Sequence, residues 1–181
     1  MTGVYKIVFI GPVGAGKTAA IQALSDIEVV STEAKASDEV RHRKAQTTVA
    51  MDYGVLNLTG GGRVRLYGTP GQQRFDFMWD ILSERALGVV LLLDASAGDV
   101  RADLRSYTTA FRAVIQRTAL VVGLTHCNSE GERVLRPAVV AELQRQGLPG
   151  VVFSVDARLR SDMTTLVRAL IYCLDPLHDA A

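Results

Sequence analysis

A glycine-rich segment near the start of the chain, residues 11–18, has the spacing of a loop that binds phosphate. Its sequence, GPVGAGKT, fits the pattern G-x-x-x-x-G-K-[ST] and follows an apolar run at residues 4–10. In such a loop the backbone N–H groups turn inward toward phosphate oxygens, and a helix predicted from Lys17 onward adds the positive end of its dipole. We expect Lys17 to reach the terminal phosphates and the Thr18 hydroxyl to bind Mg²⁺. The residues predicted to line this phosphate site are Gly11, Val13, Gly14, Ala15, Gly16, Lys17, Thr18 and Ala19.

The elements that must hold this loop alternate between strand-like and helix-like runs. This alternation favours a mostly parallel sheet that is covered by helices on both faces. A Gly-rich link at residues 60–62 joins two of the strands and predicts one antiparallel edge hairpin. Six strands are predicted, at residues 4–10, 54–59, 63–67, 88–93, 119–124 and 151–154. Apolar stripes predict helices at 100–115 and 163–174, and Pro137 is predicted to lie in the first turn of a helix that ends at Gln146, before Gly147.

Length and composition exclude several classes of protein. The 181 residues predict one domain, 1–181, and the 48% hydrophobic content is enough for its core. The net charge is +1 without a basic block, so no nucleic-acid or anionic lipid surface is expected. Two cysteines without C-x-x-C spacing are typical of a reducing compartment. Because a predicted strand begins at residue 4, no signal peptide is expected, and no lipidation motif or apolar span predicts a membrane anchor. The expected location is the cytoplasm.

Two further segments resemble the switch regions of small Ras-like GTPases. The first is TTVAMDYG at residues 47–54, and the second is LYGTPGQQRF at residues 66–75. Together with the phosphate loop they make the chain similar to the prokaryotic branch of that family, namely the gliding-motility MglA type and the small GTPases encoded in actinobacterial conservons. The resemblance covers residues 4–174. It implies a three-layer α/β P-loop NTPase fold of the Ras-like kind, with Mg²⁺ and GTP or GDP as ligands.

The same resemblance assigns catalytic roles. Thr48 is expected to bind Mg²⁺ and close over the γ-phosphate, although Thr47 is equally suited by its chemistry. Gly71 is expected to donate its backbone N–H to the γ-phosphate, and Gln72 to position the attacking water. The catalytic set is then Lys17, Thr48 and Gln72, and the metal ligands are Thr18 and Thr48.

Two departures from the Ras pattern affect this chemistry. Gly68 stands where most Ras-like proteins have the aspartate of D-x-x-G, which holds a magnesium-bound water. The MglA type also lacks that aspartate, so Mg²⁺ is expected to rest on Thr18, Thr48 and the phosphates. Val13 stands where Ras often has glycine, and its side chain crowds the space for an arginine finger. Slow intrinsic hydrolysis is therefore expected.

Base recognition is expected after the strand at residues 119–124. Thr125, His126 and Asn128 lie where the family has N-K-x-D. The amide of Asn128 turns one acceptor of the usual aspartate into a donor, which suits xanthine better than guanine and leaves adenine open. Guanine remains the expected base. In the segment SVDAR, residues 154–158, the N–H of Ala157 is expected to meet guanine O6 and Arg158 to cover the ring, while Asp156 and Arg158 could also form a solvated pair.

Three functions fit these motifs. The first is a GTP-binding molecular switch that hydrolyses GTP slowly to GDP and phosphate. The second is a nucleotide-binding scaffold with relaxed base specificity, which Val13, Gly68 and Asn128 favour and Gln72 opposes. The third is a P-loop kinase for a small molecule, which the single Asp94 after the strand at residues 88–93 disfavours. By analogy with the resembled family, the expected partners are a roadblock-type regulator and a membrane sensor kinase.

Overall fold

The computed structural model of the protein describes residues 4–31, 51–69 and 86–174. The predicted site residues Thr48, Gly71 and Gln72 lie outside these ranges, so their roles stay predictions. The strands are β1 (Val4–Ile10), β2 (Val30–Ser31), β3 (Asp52–Asn57), β4 (Arg63–Gly68), β5 (Ala86–Asp94), β6 (Ala119–Thr125) and β7 (Val152–Ser154). The helices are α1 (Lys17–Leu24), α2 (Val100–Ala110), α3 (Arg112–Ile115), α4 (Ser129–Arg145) and α5 (Arg160–Tyr172).

All these strands belong to a single sheet with the order β2-β3-β4-β1-β5-β6-β7. Strands β4, β1, β5, β6 and β7 run parallel, whereas β3 pairs antiparallel with β4 and with β2. The predicted α/β class, with its mostly parallel sheet and antiparallel edge hairpin, is confirmed. The predicted count of six strands was one short within the described residues. Strand β2 is two residues long and exposed, so it carries no apolar pattern that a sequence could show.

The central strands are buried on both faces, which explains their continuous apolar runs. Alternate residues of β1 point to opposite sides of the sheet. Val8 and Ile10 pack into one core with residues of α2 and α4. Ile7 and Phe9 pack into the other core with residues of α1 and α5. The sheet and the helices on its two faces therefore form three layers.

Among the helices of the described residues, none has the length and apolar character of a membrane span.

The helix that contains Pro137 begins earlier than predicted. It starts at Ser129 with Asn128 as its N-cap, and Pro137 lies inside it. Proline inside a helix costs one backbone hydrogen bond, and here the cap together with two glutamates in the first turn favours the earlier start. The predicted end is confirmed: Gly147 has φ 69°, and the N–H of Leu148 donates to the carbonyl of Leu143 at 2.9 Å, as in a Schellman motif.

Candidate nucleotide-binding site

The candidate site lies at the carboxyl edge of the parallel strands, where ligands of open α/β sheets bind. Three loops meet there, and they follow β1, β6 and β7. They enclose a cavity of about 480 Å³, lined by the start of α1, residues 125–127, residues 154–158 and Asp162. This volume lies within the range of small-ligand pockets. The structure thus brings the phosphate loop and both predicted base segments together.

The phosphate loop is built on left-handed glycines. Gly11, Gly14 and Gly16 have φ of 140°, 85° and 91°, a region that side chains rarely adopt. A Cβ on Gly11 would lie 2.1 Å from the carbonyl oxygen of Leu92, and a Cβ on Gly16 would lie 2.8 Å from the Cβ of Ala157. The loop can therefore pass close to β5 and to the loop after β7 only because these residues are glycines.

Lys17 folds back over this loop. Its Nζ donates to the carbonyl oxygens of Gly11 at 2.8 Å and Pro12 at 2.7 Å, and the residue is buried. Burial lowers the pKa of Lys17 to about 8, although the charge of Asp52 acts in the opposite direction. A phosphate oxygen is a stronger acceptor for this ammonium than either carbonyl.

The remaining phosphate-site residues occupy distinct environments. The Val13 side chain is exposed, Ala15 is fully buried, and Ala19 lines the cavity. The hydroxyl of Thr18 donates to Oδ2 of Asp52 at 2.5 Å. Hydroxyl and carboxylate oxygens are the donors that Mg²⁺ prefers, so this pair fits such an ion. The sequence alone does not say whether Asp52 takes part in the first switch region or only begins a strand. Pairing of β3 with β4 is what brings its side chain to the phosphate loop.

The end of β6 contacts the phosphate loop, and the residues from Thr125 to Cys127 line the cavity. The buried hydroxyl of Thr125 donates to the carbonyl oxygens of Ala15 at 3.1 Å and Leu93 at 3.2 Å. His126 has φ 51°, lines the cavity, and places Nδ1 3.2 Å from Oδ1 of Asp94. Thr125 thus fixes the spacing between the phosphate loop and the cavity wall that residues 125–127 form.

Asn128 has a structural partner that its predicted role did not include. Its Oδ1 accepts the backbone N–H of Gly131 at 2.7 Å, which caps α4. It is absent from the described lining of the cavity, although its neighbour Cys127 is present. The acceptor that was expected to face the base is therefore engaged by the helix, and base recognition by Asn128 stays a prediction.

The loop after β7 presents charged groups to the cavity. Arg158 donates to both carboxylate oxygens of Asp156, at 2.9 and 2.6 Å, and its side chain is exposed. The hydrogen bonds from Arg158 hold the pKa of Asp156 down at about 2. The solvated pair anticipated as an alternative is therefore present in this structure, at the wall of the cavity. Ala157 is buried between the two charged residues and also lines the cavity.

Asp162 is a cavity residue that sequence reasoning missed. It lies in the first turn of α5, and its Oδ2 accepts the backbone N–H of Asp156 at 2.9 Å. The hydroxyl of Ser161 donates to its Oδ1 at 3.0 Å. Each carboxylate oxygen has two lone pairs, so both oxygens keep one for a ligand. An acidic residue in the first turn of a helix is too common a pattern to indicate a pocket.

The sequence of this chain is similar to a described family and to one relative. A family model described as "conserved hypothetical ATP binding protein" matches residues 26–133. That range begins after the phosphate loop at residues 11–18, so the loop supports nucleotide binding independently of the family match. An uncharacterized protein of Methanocaldococcus jannaschii is 33% identical over 98 residues, which are 54% of this chain and 56% of that protein. The match thus spans about half the length of that relative.

Part of a solved structure of the bacterial selenocysteine-specific elongation factor EF-Sec has the same fold. The two superpose with a TM-score of 0.65 and 17% identity, over 96% of this chain and 29% of that chain. At this identity the likeness concerns the fold alone. It agrees with the predicted P-loop NTPase architecture, which the strand order and the loop after β1 also display.

Proposed function

This chain belongs to the family described as conserved hypothetical ATP-binding proteins, and we propose that it is a nucleotide switch that binds GTP with Mg²⁺ and hydrolyses it slowly. The observation that carries the proposal is the phosphate loop. Three left-handed glycines open the loop, and the buried Lys17 ammonium lies across it. This arrangement supplies N–H donors and one cation to a chain of phosphates.

The proposed hydrolysis assigns each group a simple task. Lys17 neutralises charge at the terminal phosphates, and Gln72 orients the attacking water. When bound, Mg²⁺ supplies further neutralisation of the β- and γ-phosphates, and the oxygens of Thr18 and Thr48 would hold it. Gly71 and Thr48 would sense the γ-phosphate and release the switch surfaces after hydrolysis. The roadblock-type regulator and the membrane sensor kinase belong to this proposal by analogy.

The guanine preference rests on the carboxylate of Asp162 in the cavity. The edge of guanine offers two donors, the N1–H and the exocyclic amine, which a carboxylate accepts and an amide cannot accept equally. Asp162 would thereby supply the acceptor that Asn128 lacks. The backbone N–H of Ala157 would meet guanine O6.

The test is a binding panel of GDP, GTP, ADP, ATP and XDP with Mg²⁺. We expect GDP and GTP to bind most tightly, and Asp162→Asn to shift the preference toward XDP by about tenfold, as expected when one acceptor becomes a donor. Asp103→Asn is the matched control, because Asp103 also lies in the first turn of a helix but outside the described cavity lining. Equal shifts in both variants would contradict the role of Asp162.

A second candidate is an adenine-nucleotide protein. Two observations favour it: the family description and the engagement of Asn128 Oδ1 in the helix cap. Tight ADP and ATP binding in the same panel, with weak GDP, would support it over the guanine switch. Single-turnover hydrolysis of the preferred triphosphate then tests catalysis. Gln72→Leu is expected to slow that step and leave nucleotide affinity unchanged.

A further inference from the structure

Position 68 lacks a side chain, and a neighbouring strand fills the space. Gly68 ends β4, and its partner in the antiparallel ladder is Asp52 at the start of β3. A Cβ placed on Gly68 would lie 3.2 Å from Cβ and 3.3 Å from Oδ2 of Asp52. Side chains of directly opposite residues share one face of a sheet. The Asp52 carboxylate therefore occupies the volume that a side chain from β4 would need.

Both oxygens of that carboxylate are held in place. Oδ2 accepts the hydroxyl proton of Thr18 at 2.5 Å, and Oδ1 accepts the hydroxyl proton of Ser31 at 2.6 Å. Ser31 belongs to the edge strand β2, which pairs with β3 opposite Asp52. The charge also reaches the phosphate loop, since it raises the pKa of Lys17 against the larger effect of burial. Asp52 is thus fixed beside Thr18 and Lys17, the two loop residues that are proposed to bind metal and phosphate.

We infer that Asp52 supplies the magnesium-linked carboxylate that Gly68 cannot provide. A hydroxyl has one proton and two lone pairs. By accepting the proton of Thr18, Asp52 turns a lone pair of that oxygen toward the ion. Its carboxylate also offers an acceptor for a metal-bound water, and Mg²⁺ in proteins keeps several waters beside one or two carboxylates. The inference rests on the proposed function, because it requires that the loop binds a nucleotide with Mg²⁺.

Gly68 and Asp52 form a matched pair in this account. A side chain at position 68 would meet Asp52 and also Cδ1 of Ile21, at 2.9 Å. The Ile21 atom is the end of a flexible side chain and can move aside, but carboxylates at both position 52 and position 68 would require β3 to shift. Because residues 52 and 68 lie opposite each other on paired strands, a carboxylate near Thr18 can come from either β3 or β4.

The experiment compares GDP affinity in excess Mg²⁺ with GDP affinity in excess EDTA. The wild-type protein is expected to bind more tightly with Mg²⁺. Asp52→Asn keeps the shape and removes the charge, and its affinity in excess Mg²⁺ is expected to fall by about tenfold or more, while its affinity in EDTA should not fall because a negative charge beside the phosphates is removed. Asp26→Asn is the matched control, because this carboxylate accepts the N–H of Asn57 at the other end of β3 and its loss should leave the effect intact.

Two more variants complete the design. Asp52→Gly combined with Gly68→Asp moves the carboxylate to the neighbouring strand and is expected to restore most of the Mg²⁺ effect relative to Asp52→Asn. Ser31→Ala removes one of the hydrogen bonds that hold the Asp52 carboxylate, and because Ser31 is exposed the variant is expected to fold. It therefore tests the inference if Asp52→Asn does not fold. A smaller loss in the same direction is expected from Ser31→Ala.

The outcomes separate the two proposals. Absence of nucleotide binding, or of any Mg²⁺ effect, in the wild-type protein contradicts the proposed function itself. If the wild-type protein shows the Mg²⁺ effect and folded Asp52→Asn shows it in full as well, the role of Asp52 alone is overturned. If Asp52→Asn does not fold, a full Mg²⁺ effect in Ser31→Ala overturns that role. Binding of Mn²⁺ to the GDP complex, measured by electron paramagnetic resonance, gives a second readout that does not depend on hydrolysis.

Discussion

The hydroxyl of Thr125 donates to the carbonyl oxygen of Ala15 at 3.1 Å, across 110 residues of sequence. The same hydroxyl lies 3.2 Å from the carbonyl oxygen of Leu93. One buried side chain therefore joins the end of β6, the end of β5 and the phosphate loop. Because Thr125 immediately precedes His126 and Cys127, which line the cavity, this contact sets the distance between that wall of the cavity and the phosphate loop.

Thr125→Val removes this hydroxyl with little change of shape. The two buried carbonyls lose their shared donor, so the free energy of unfolding is expected to fall by about 1–3 kcal/mol in urea titrations. GDP affinity is expected to fall several-fold, because Ala15 is no longer held. Thr108→Val is the control: Thr108 is equally buried and donates to the carbonyl of Leu104 within α2. Its loss should lower stability but leave GDP affinity unchanged.

The ionisation of Lys17 predicts a pH dependence of nucleotide binding. The pKa of Lys17 in the free protein is about 8, and a bound phosphate chain raises it. Since the pKa is higher in the complex, the contribution of Lys17 is fully present below pH 8 and is lost above it. GDP affinity is expected to fall by up to about tenfold per pH unit above 8. Calorimetry in two buffers of different ionisation enthalpy should show proton uptake there.

Lys17→Arg is the control for this prediction. Its guanidinium stays protonated over the whole range, so any remaining pH dependence belongs to the nucleotide or to other groups. The same slope in the wild-type and Lys17→Arg proteins would show that Lys17 does not titrate near pH 8.

Two glycines of the loop are expected to differ in their tolerance of alanine. Gly11 and Gly14 both have positive φ, but a Cβ on Gly11 meets the carbonyl oxygen of Leu92, whereas a Cβ on Gly14 meets nothing within 4 Å. Gly14→Ala should cost about 1 kcal/mol of stability through backbone strain alone. Gly11→Ala should cost about 2–4 kcal/mol, because strain and overpacking add. Equal losses in chemical unfolding would contradict this packing.

The cap of α4 can be tested separately from base recognition. Asn128→Ala removes the oxygen that accepts the N–H of Gly131, so a loss of about 1 kcal/mol is expected. Asn128→Asp keeps an oxygen at that position and is expected to be nearly neutral. The two variants are compared by thermal unfolding without nucleotide. An unchanged stability of Asn128→Ala would show that the cap contributes little.

Much of the fold followed from local patterns. Strand β1 was predicted with its observed bounds, and the apolar runs of β5 and β6 were predicted within one or two residues at each end. These strands are buried on both faces, and burial forces continuous apolar sequence. The start of α4 was not predicted, because a cap at Asn128 and a proline at 137 give opposite local indications. Only the energy of the whole helix decides between them.

The sequence by itself determined the phosphate loop, because residues 11–18 form backbone turns that glycine alone permits and hold a lysine at fixed spacing. It also determined the layered sheet, because hydrophobic burial leaves a periodic pattern. The tertiary structure alone decided which carboxylates approach the loop and the cavity. Asp52 reaches Thr18 through strand pairing, and Asp162 reaches the cavity through the placement of α5. Such contacts join distant segments, and the residues that make them carry no local pattern of their own.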